Sequence, residues 1–482
     1  MTKKRIRFNA FDMTCIMHQS PGLWAHPTDQ STRYNDLDYW VDLAKLLERG
    51  KFDGLFIADV LGVYDTYQNS HDASVRRAMQ VPVHDPLMQV SAMAAATEKL
   101  GFGITVSATY EQPYALARRF SSLDHLTRGR IAWNIVTSYL DGAARNLGMD
   151  RQMSHDERYD LAEEVVDVCY KLWEGSWEED AVIADRKTQV YADPDKVHPI
   201  NHKGKYFSVP GIHLSEPSPQ RTPVIWQAGT STKGRAFAAR HAEAVFTVAP
   251  TPAILRKYVD DIRAVAADHG RDPRSVKIYT EIATVTAPTD AEARAKYEEF
   301  LTWADYEGAL AFYAGITGID LSTLDPDQPL EYVETDSARF ALEIFSKADP
   351  DRTWTPREVA NFVSIGAMGP VLVGSPKTIA DELEHWIDEA DIDGFNIAYV
   401  TTPGTFEDFI EHVVPELQAR GRYWSDYDES TTLRERIYEP GQTRIREDHP
   451  AAAYRRRLQD NAAARQAAQA AGSAEPATVP AR

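Results

Sequence analysis

Eight short apolar runs, rich in β-branched residues, alternate along the chain with amphipathic segments, and few folds accept that order. The runs are 6–14, 52–60, 103–109, 130–137, 223–228, 244–249, 276–285 and 394–400. Phe52 to Val60 (FDGLFIADV) is almost continuously apolar, as expected of a strand covered on both faces. Between the runs, Asp36 to Arg49 reads as a helix closed by Gly50, and Asp85-Pro86 opens another through Leu100 with Asp as cap and Pro at the first helical position. Tyr114 to Leu126 is a third, and His155 to Trp173 a long fourth with the stripe Leu161, Val165, Val168, Leu172. Parallel strands joined by helices leave an open doubly wound sheet or a closed barrel. No G-x-G-x-x-G follows the first strand and the count reaches eight, so the expectation is an α/β protein, a (β/α)8 TIM barrel. The barrel is expected over residues 1–423, with irregular insertions at about 176–221 and 314–370. Residues 424–482 are expected to form a C-terminal extension, disordered from about 461 where the chain turns Ala/Gln/Pro-rich.

Composition narrows the function. Asp plus Glu total 72 against 52 Lys plus Arg, a formal charge of −20, which disfavours nucleic acid and anionic lipid as partners. Two cysteines, Cys15 and Cys169, make neither a disulfide framework nor a structural zinc set. The basic start Lys3-Lys4-Arg5 is not followed by a signal-like apolar run, and no stretch of about 18 apolar residues occurs, so a cytoplasmic location is expected. No G-x-S-x-G elbow or P-loop lysine motif is present. His198, His202 and His213 are irregularly spaced, which suits surface or structural roles better than zinc.

In a barrel the active site lies at the C-terminal ends of the strands. Polar residues end several runs: Asp59, then Ser107 and Thr109, Asn134 with Thr137 and Ser138, and Ser231. Each alone reads as a turn or cap; together they outline a ring. Gly229-Thr230-Ser231 leads into a helix whose first amides suit an anion, and His155 and Tyr159 lie four apart on one face of another helix start. A phosphate held between Ser231 and the Tyr159 hydroxyl follows from that pairing. Cys15 and His18 after the first run, Tyr64 after the second and Gln80 beyond would meet in the same mouth, although packing explains Cys15 and Tyr64 equally well.

The stretches NAFDMTC, GKFDGLFIADVLGVYD, SATYEQPYALARR, LDHLTRGRIAWNIVTS, HDERYDLAEE, EPSPQRTPVIWQAG and DGFNIAYVTTPGTFEDFIEHVVPELQARGR resemble the bacterial-luciferase-like flavin monooxygenases. Within that family they are similar to the branch that oxidises nitrilotriacetate, dibenzothiophene sulfone, long-chain alkanes and dimethyl sulfide. The resemblance runs from about Arg5 past Tyr423. It implies a TIM barrel with FMN in its mouth, reduced FMN delivered by a separate NAD(P)H:FMN oxidoreductase, a flavin hydroperoxide formed with O₂, and a homodimer or homotetramer. Carried over by motif, Asp59 should lie near the flavin ring. Ser107, Asn134 and Thr137 should line the ring or ribityl chain, and His155, Tyr159 and Ser231 should hold the phosphate end. The family's non-proline cis peptide should fall near Ser107-Ala108. Cys15, His18, Tyr64, Gln80 and Tyr139 should form the catalytic side, with Phe312 against substrate.

Two positions depart from the alkane-oxidising branch, where histidines stand in place of Tyr139 and Phe312. An aromatic lining points to a small apolar thioether, with dimethyl sulfide cleaved to methanethiol and formaldehyde as the first expectation. Polyaminocarboxylates would require arginines aimed into the pocket. An alkane or heterocycle oxygenase of the same family, a flavin-binding protein without oxygenase activity and a deazaflavin-dependent dehydrogenase remain open at this point.

Overall fold

Successive side chains of a strand point to opposite faces, so in a closed barrel each strand sends alternate residues inward. The structure, a computed structural model, describes residues 4–229, 231–330 and 354–472, with side chains through Arg465. Eight parallel strands close the barrel: β1 (Arg7–Met13), β2 (Gly54–Ala58), β3 (Gly101–Ser107), β4 (Ile131–Val136), β5 (Val224–Gln227), β6 (Ala244–Thr247), β7 (Lys277–Thr286) and β8 (Gly394–Ala398). Each pairs with the next, and β8 returns to β1 in the register Phe8↔Phe395 and Ala10↔Ile397. All eight lie where the apolar runs place them, to within three residues at either end. A short strand, Val371–Gly374, pairs with the outer end of β7.

The outward set, including Phe8, Leu55, Ile57, Ile104, Trp133, Ile225, Ile278 and Ile397, is buried under the helices. The inward set fills the lower barrel with rings. Phe11, Phe56, Trp226, Phe246 and Tyr279 meet mostly edge to face at centroid separations from 4.6 Å for Trp226–Tyr279 to 5.7 Å for Phe11–Phe56. Such packing leaves no pore, and it sets the depth at which a cavity can begin.

Several expectations need correction. The helix expected through Leu100 spans Leu87–Ala95, because one Glu48 carboxylate oxygen accepts from the backbone amides of Glu98, Lys99 and Leu100 and turns the chain into β3. The first insertion contains two small antiparallel hairpins, Val182–Asp185 with Val190–Ala192 and His202–Lys203 with Ser208–Val209. The second contains the helix Pro356–Val363 and is preceded by a helix, Tyr306–Thr317; its residues 331–353 lie outside the described residues. Past 461, where a fraying helix ending in disorder is expected, a helix, Ala452–Gly472, continues, as its Ala, Gln and Arg content permits. Residues 473–482, like Thr230, lie outside the described residues.

Past residue 423 the chain returns beneath the barrel and packs against it. Residues Leu433–Ile437 form a helical turn under it, and Leu433 and Ile437 join the inner cluster from below. Gly101, at the foot of β3, admits this approach; a β-carbon there would stand 2.6 Å from Leu433 Cδ1. Arg434 anchors the turn. Fully buried, it donates to both Glu243 carboxylate oxygens, at 2.7 and 2.9 Å, and to the carbonyls of Thr222 and Thr443. Further along, Arg455 reaches the buried Glu174 at 2.9 Å.

Breaking a buried pair leaves an uncompensated charge, which costs about 3–5 kcal/mol. Arg434→Ala is therefore expected to lower the unfolding free energy by that much in denaturant titration. A loss below about 1 kcal/mol would show that the turn does not anchor the barrel.

Candidate functional site

Above the ring layer, at the C-terminal ends of the strands, lies a cavity of about 440 Å³. Its wall brings together His18, Asp59, Tyr64, Gln80, Thr137, Tyr139, His155, Tyr159, Ser231 and Phe312, all selected from the sequence. It adds residues that the sequence reading missed: Gln19, Arg158, Gln227, Arg235, Glu281 and Met368 among them.

One end is polar. Ser231 caps the helix Thr232–His241, its hydroxyl accepting from the Gly234 amide at 3.0 Å, and it lies 3.0 Å from His155 Nε2. Tyr159, one turn after His155, is buried beside Ser231, with its hydroxyl 3.5 Å from Gln227 Nε2. Glycine is required here: a β-carbon on Gly229 or Gly234 would stand 2.9 or 2.7 Å from the Tyr159 oxygen. Arg158 and Arg235 sit on the same two helices. Hydroxyls, a helix start and two cations make an anion site.

The other end is aromatic. The Tyr64 hydroxyl donates to Gln80 Oε1 at 2.9 Å and lies 3.0 Å from the Tyr139 hydroxyl, while Gln80 donates to the His18 carbonyl at 3.1 Å. Phe312 meets the Tyr64 ring edge-on at 6.1 Å. Gly315, on the same helix as Phe312, lets that ring lie flat against it, since a β-carbon would fall 2.1 Å from Tyr64 Cγ. The His18 ring packs on Phe11 at 4.5 Å, and burial lowers its pKa to about 3, so the imidazole is neutral. Burial likewise pushes Tyr139 up to about 12 and Tyr64 well above its ordinary value. Asp59 rises to about 7 through burial and the nearby Asp85. Glu281, buried on β7, rises to about 8 through desolvation alone.

Cys15, Asn134, Ser107 and Thr109 were selected from the sequence but do not reach this wall; Thr109 donates to the Thr137 carbonyl. Cys15 is buried behind the wall, its thiol on the Met17 carbonyl at 3.1 Å and its pKa pushed well up by burial, which makes a thiolate unfavourable. Asn134 sits mid-strand rather than at a strand end, one layer too deep, with its amide donating to Thr105 Oγ1 at 2.9 Å. Ser107 faces a neighbouring cavity of about 330 Å³ that shares Asp59, and accepts from the Ser138 hydroxyl at 2.8 Å. The Ser107-Ala108 bond is not cis. Among the described residues the cis bonds are Val81-Pro82 and Thr402-Pro403, where proline makes that isomer far less costly.

Buried polar atoms in the wall, His18 Nδ1, Gln19 Oε1, Gln227 Oε1 and Glu281 Oε1 among them, have no hydrogen-bond partner. Buried polar groups are rarely left so. The wall thus offers unmet donors and acceptors around an apolar slot with an anion site at one end, which fits a planar heterocycle carrying a phosphate.

Comparison with known proteins agrees with this geometry. The luciferase-like monooxygenase family matches residues 13–393. The chain is 54% identical over 453 residues to the dimethyl-sulfide monooxygenase of Hyphomicrobium sulfonivorans, covering 94% of each. It is 51% identical over 455 residues to the long-chain alkane monooxygenase of Geobacillus thermodenitrificans, covering 94% of this chain and 99% of that one. Among solved structures it is similar to a riboflavin lyase holding modified FMN and riboflavin, with a TM-score of 0.88 at 39% identity over 94% of this chain and 100% of that one. By sequence, barrel and cavity together, the chain belongs to the luciferase-like monooxygenases.

Proposed function

We propose that the chain is the oxygenase of a two-component system, taking reduced FMN from a separate NAD(P)H-dependent reductase and oxygenating a small uncharged organosulfur compound, with dimethyl sulfide, cleaved to methanethiol and formaldehyde, as the first candidate. The observation that carries it is the distribution of charge along the cavity. Arg158 and Arg235 accompany the Ser231–His155–Tyr159 end, where a phosphate needs them. At the aromatic end His18 is neutral, and Glu281, with its carboxyl raised to about 8, keeps its proton near neutral pH. A charged substrate would find no counter-ion there among the described residues, whereas a thioether requires none.

His155, Tyr159 and Ser231 would hold the FMN phosphate, with Asp59, Thr137, Gln19 and Gln227 toward the ring. Bound and reduced, FMN supplies the electrons that activate O₂. The protein orients the substrate and excludes water. Phe11, Phe246, Phe312, Ile316 and Met368 make the wall apolar, so water and stray protons are kept from the reacting oxygen. The Tyr139–Tyr64–Gln80 chain fixes the hydroxyls that border it. Tyr139 and Phe312, where the alkane-oxidising branch has histidine, favour the thioether over the alkane.

Incubation with reduced FMN, O₂ and either dimethyl sulfide or a long alkane, with headspace analysis, tests the assignment. Methanethiol and formaldehyde from the first and no alcohol from the second are expected. Turnover of the alkane alone would overturn the substrate assignment. Separately, Tyr64→Phe and His18→Ala are each expected to lower oxygenated product per O₂ about tenfold, the worth of one hydrogen bond of ~1.4 kcal/mol, and to release the balance as H₂O₂. Unchanged coupling in both variants would remove them from the mechanism.

A further inference from the structure

Alternation along β7 turns Tyr279 and Glu281 into the barrel and Ile278 and Ile282 out toward the helices. Tyr279 belongs to the ring layer, tilted against Trp226 at 4.6 Å; Glu281 stands one layer higher, in the cavity wall. The position is confined. Gly369 packs so closely that a β-carbon there would stand 3.1 Å from Glu281 Cγ, and Met368 beside it also lines the cavity. The register neighbour on β8 is Asn396, an uncharged amide. Glu281 is 4% exposed and its Oε1 has no hydrogen-bond partner. A carboxyl this deep, with no cation against it, is a costly choice for packing alone.

We propose that Glu281 is a proton donor of the oxygenation reaction, a carboxyl group presented from β7 into the cavity wall beside Met368. The proposal rests on the flavin-oxygenase assignment and names the acid that assignment lacks. One oxygen atom of O₂ enters the substrate and the other leaves as water. The two electrons and one hydrogen come with the reduced flavin, so one further proton is needed. Glu281 gives that proton to the departing oxygen, and the resulting carboxylate regains one from solvent. The other titratable groups at this end are less suited. His18 is neutral with a pKa of about 3, burial pushes the Tyr139 hydroxyl up to about 12, and it holds the Tyr64 hydroxyl well above its ordinary value. Asp59, raised only to about 7, is about half ionised at neutral pH and is shared with the neighbouring cavity. Glu281, at about 8, is mostly protonated at neutral pH, as a general acid must be.

The test uses the full-length protein with E281Q, which keeps the shape but has no acid proton, and E281D, which keeps an acid. With flavin absent, the difference infrared spectrum between wild type and E281Q should show a carboxylic-acid C=O band at pH 7 that fades as pH rises through about 8. With reduced FMN, O₂ and dimethyl sulfide, E281Q should form oxygenated product about 10²-fold more slowly. The loss should persist at saturating FMN, and E281D should recover part of the rate. Wild-type coupling should fall above pH 8, and that of E281Q should be flat. Absence of the infrared band, or an E281Q variant that keeps wild-type rate and pH profile, overturns the proposal. Failure of the functional assignment looks different: wild type itself would turn over no dimethyl sulfide, and the donor role would fall with it.

Discussion

Desolvation in a closed barrel governs this molecule. Inward positions of eight strands must be filled, and the lower ones are filled with aromatic rings, while Leu433 and Ile437 seal them from below. The seal depends on a charge taken out of water, Arg434, which is stable there because Glu243 and backbone carbonyls meet its donors. With the floor fixed by rings, the cavity can open only toward the mouth. The polar atoms of its wall then lie in a medium that penalises every unpaired charge.

The same cause acts in opposite directions on different groups. Burial strips the proton from His18 and leaves one on Glu281, so both become uncharged. An oxygenase benefits from this arrangement, since a dry uncharged chamber protects a reactive oxygen from water while keeping one transferable proton at hand. Cationic side chains gather at the other end, where Arg158, Arg235 and a helix start offer a place for an anion. The cavity is thus graded from ionic to apolar along its length, as a mononucleotide beside a small thioether would require.

Much of this was legible in the sequence because periodicity and strand ends are local signals. FDGLFIADV announces a strand covered on both faces, and Asp59 at its end faces the cavity as placed. Ser231 and Tyr159 were legible through helix-start chemistry. Asn134 misled because a polar residue inside an apolar run reads like a strand end, although it falls one layer below the cavity wall. Cys15 has the correct address and the wrong direction, since its thiol turns to the Met17 carbonyl. Glu281 was missed because Thr-Glu-Ile inside a strand carries no motif; only barrel closure reveals that it faces inward. Arg434 looked like part of a polar tail, and nothing local distinguishes an exposed arginine from one that meets Glu243 about 190 residues away.

The central claim is that one end of the cavity holds a phosphate and the rest holds the ring system attached to it. Equilibrium titration of FMN against riboflavin, which lacks only the phosphate, tests that claim most directly. Phosphate contacts are charge-assisted hydrogen bonds worth about 1.5–3 kcal/mol each, so FMN should bind at least tenfold more tightly, and Ser231→Ala should narrow the gap. Equal affinities for the two flavins would contradict the account.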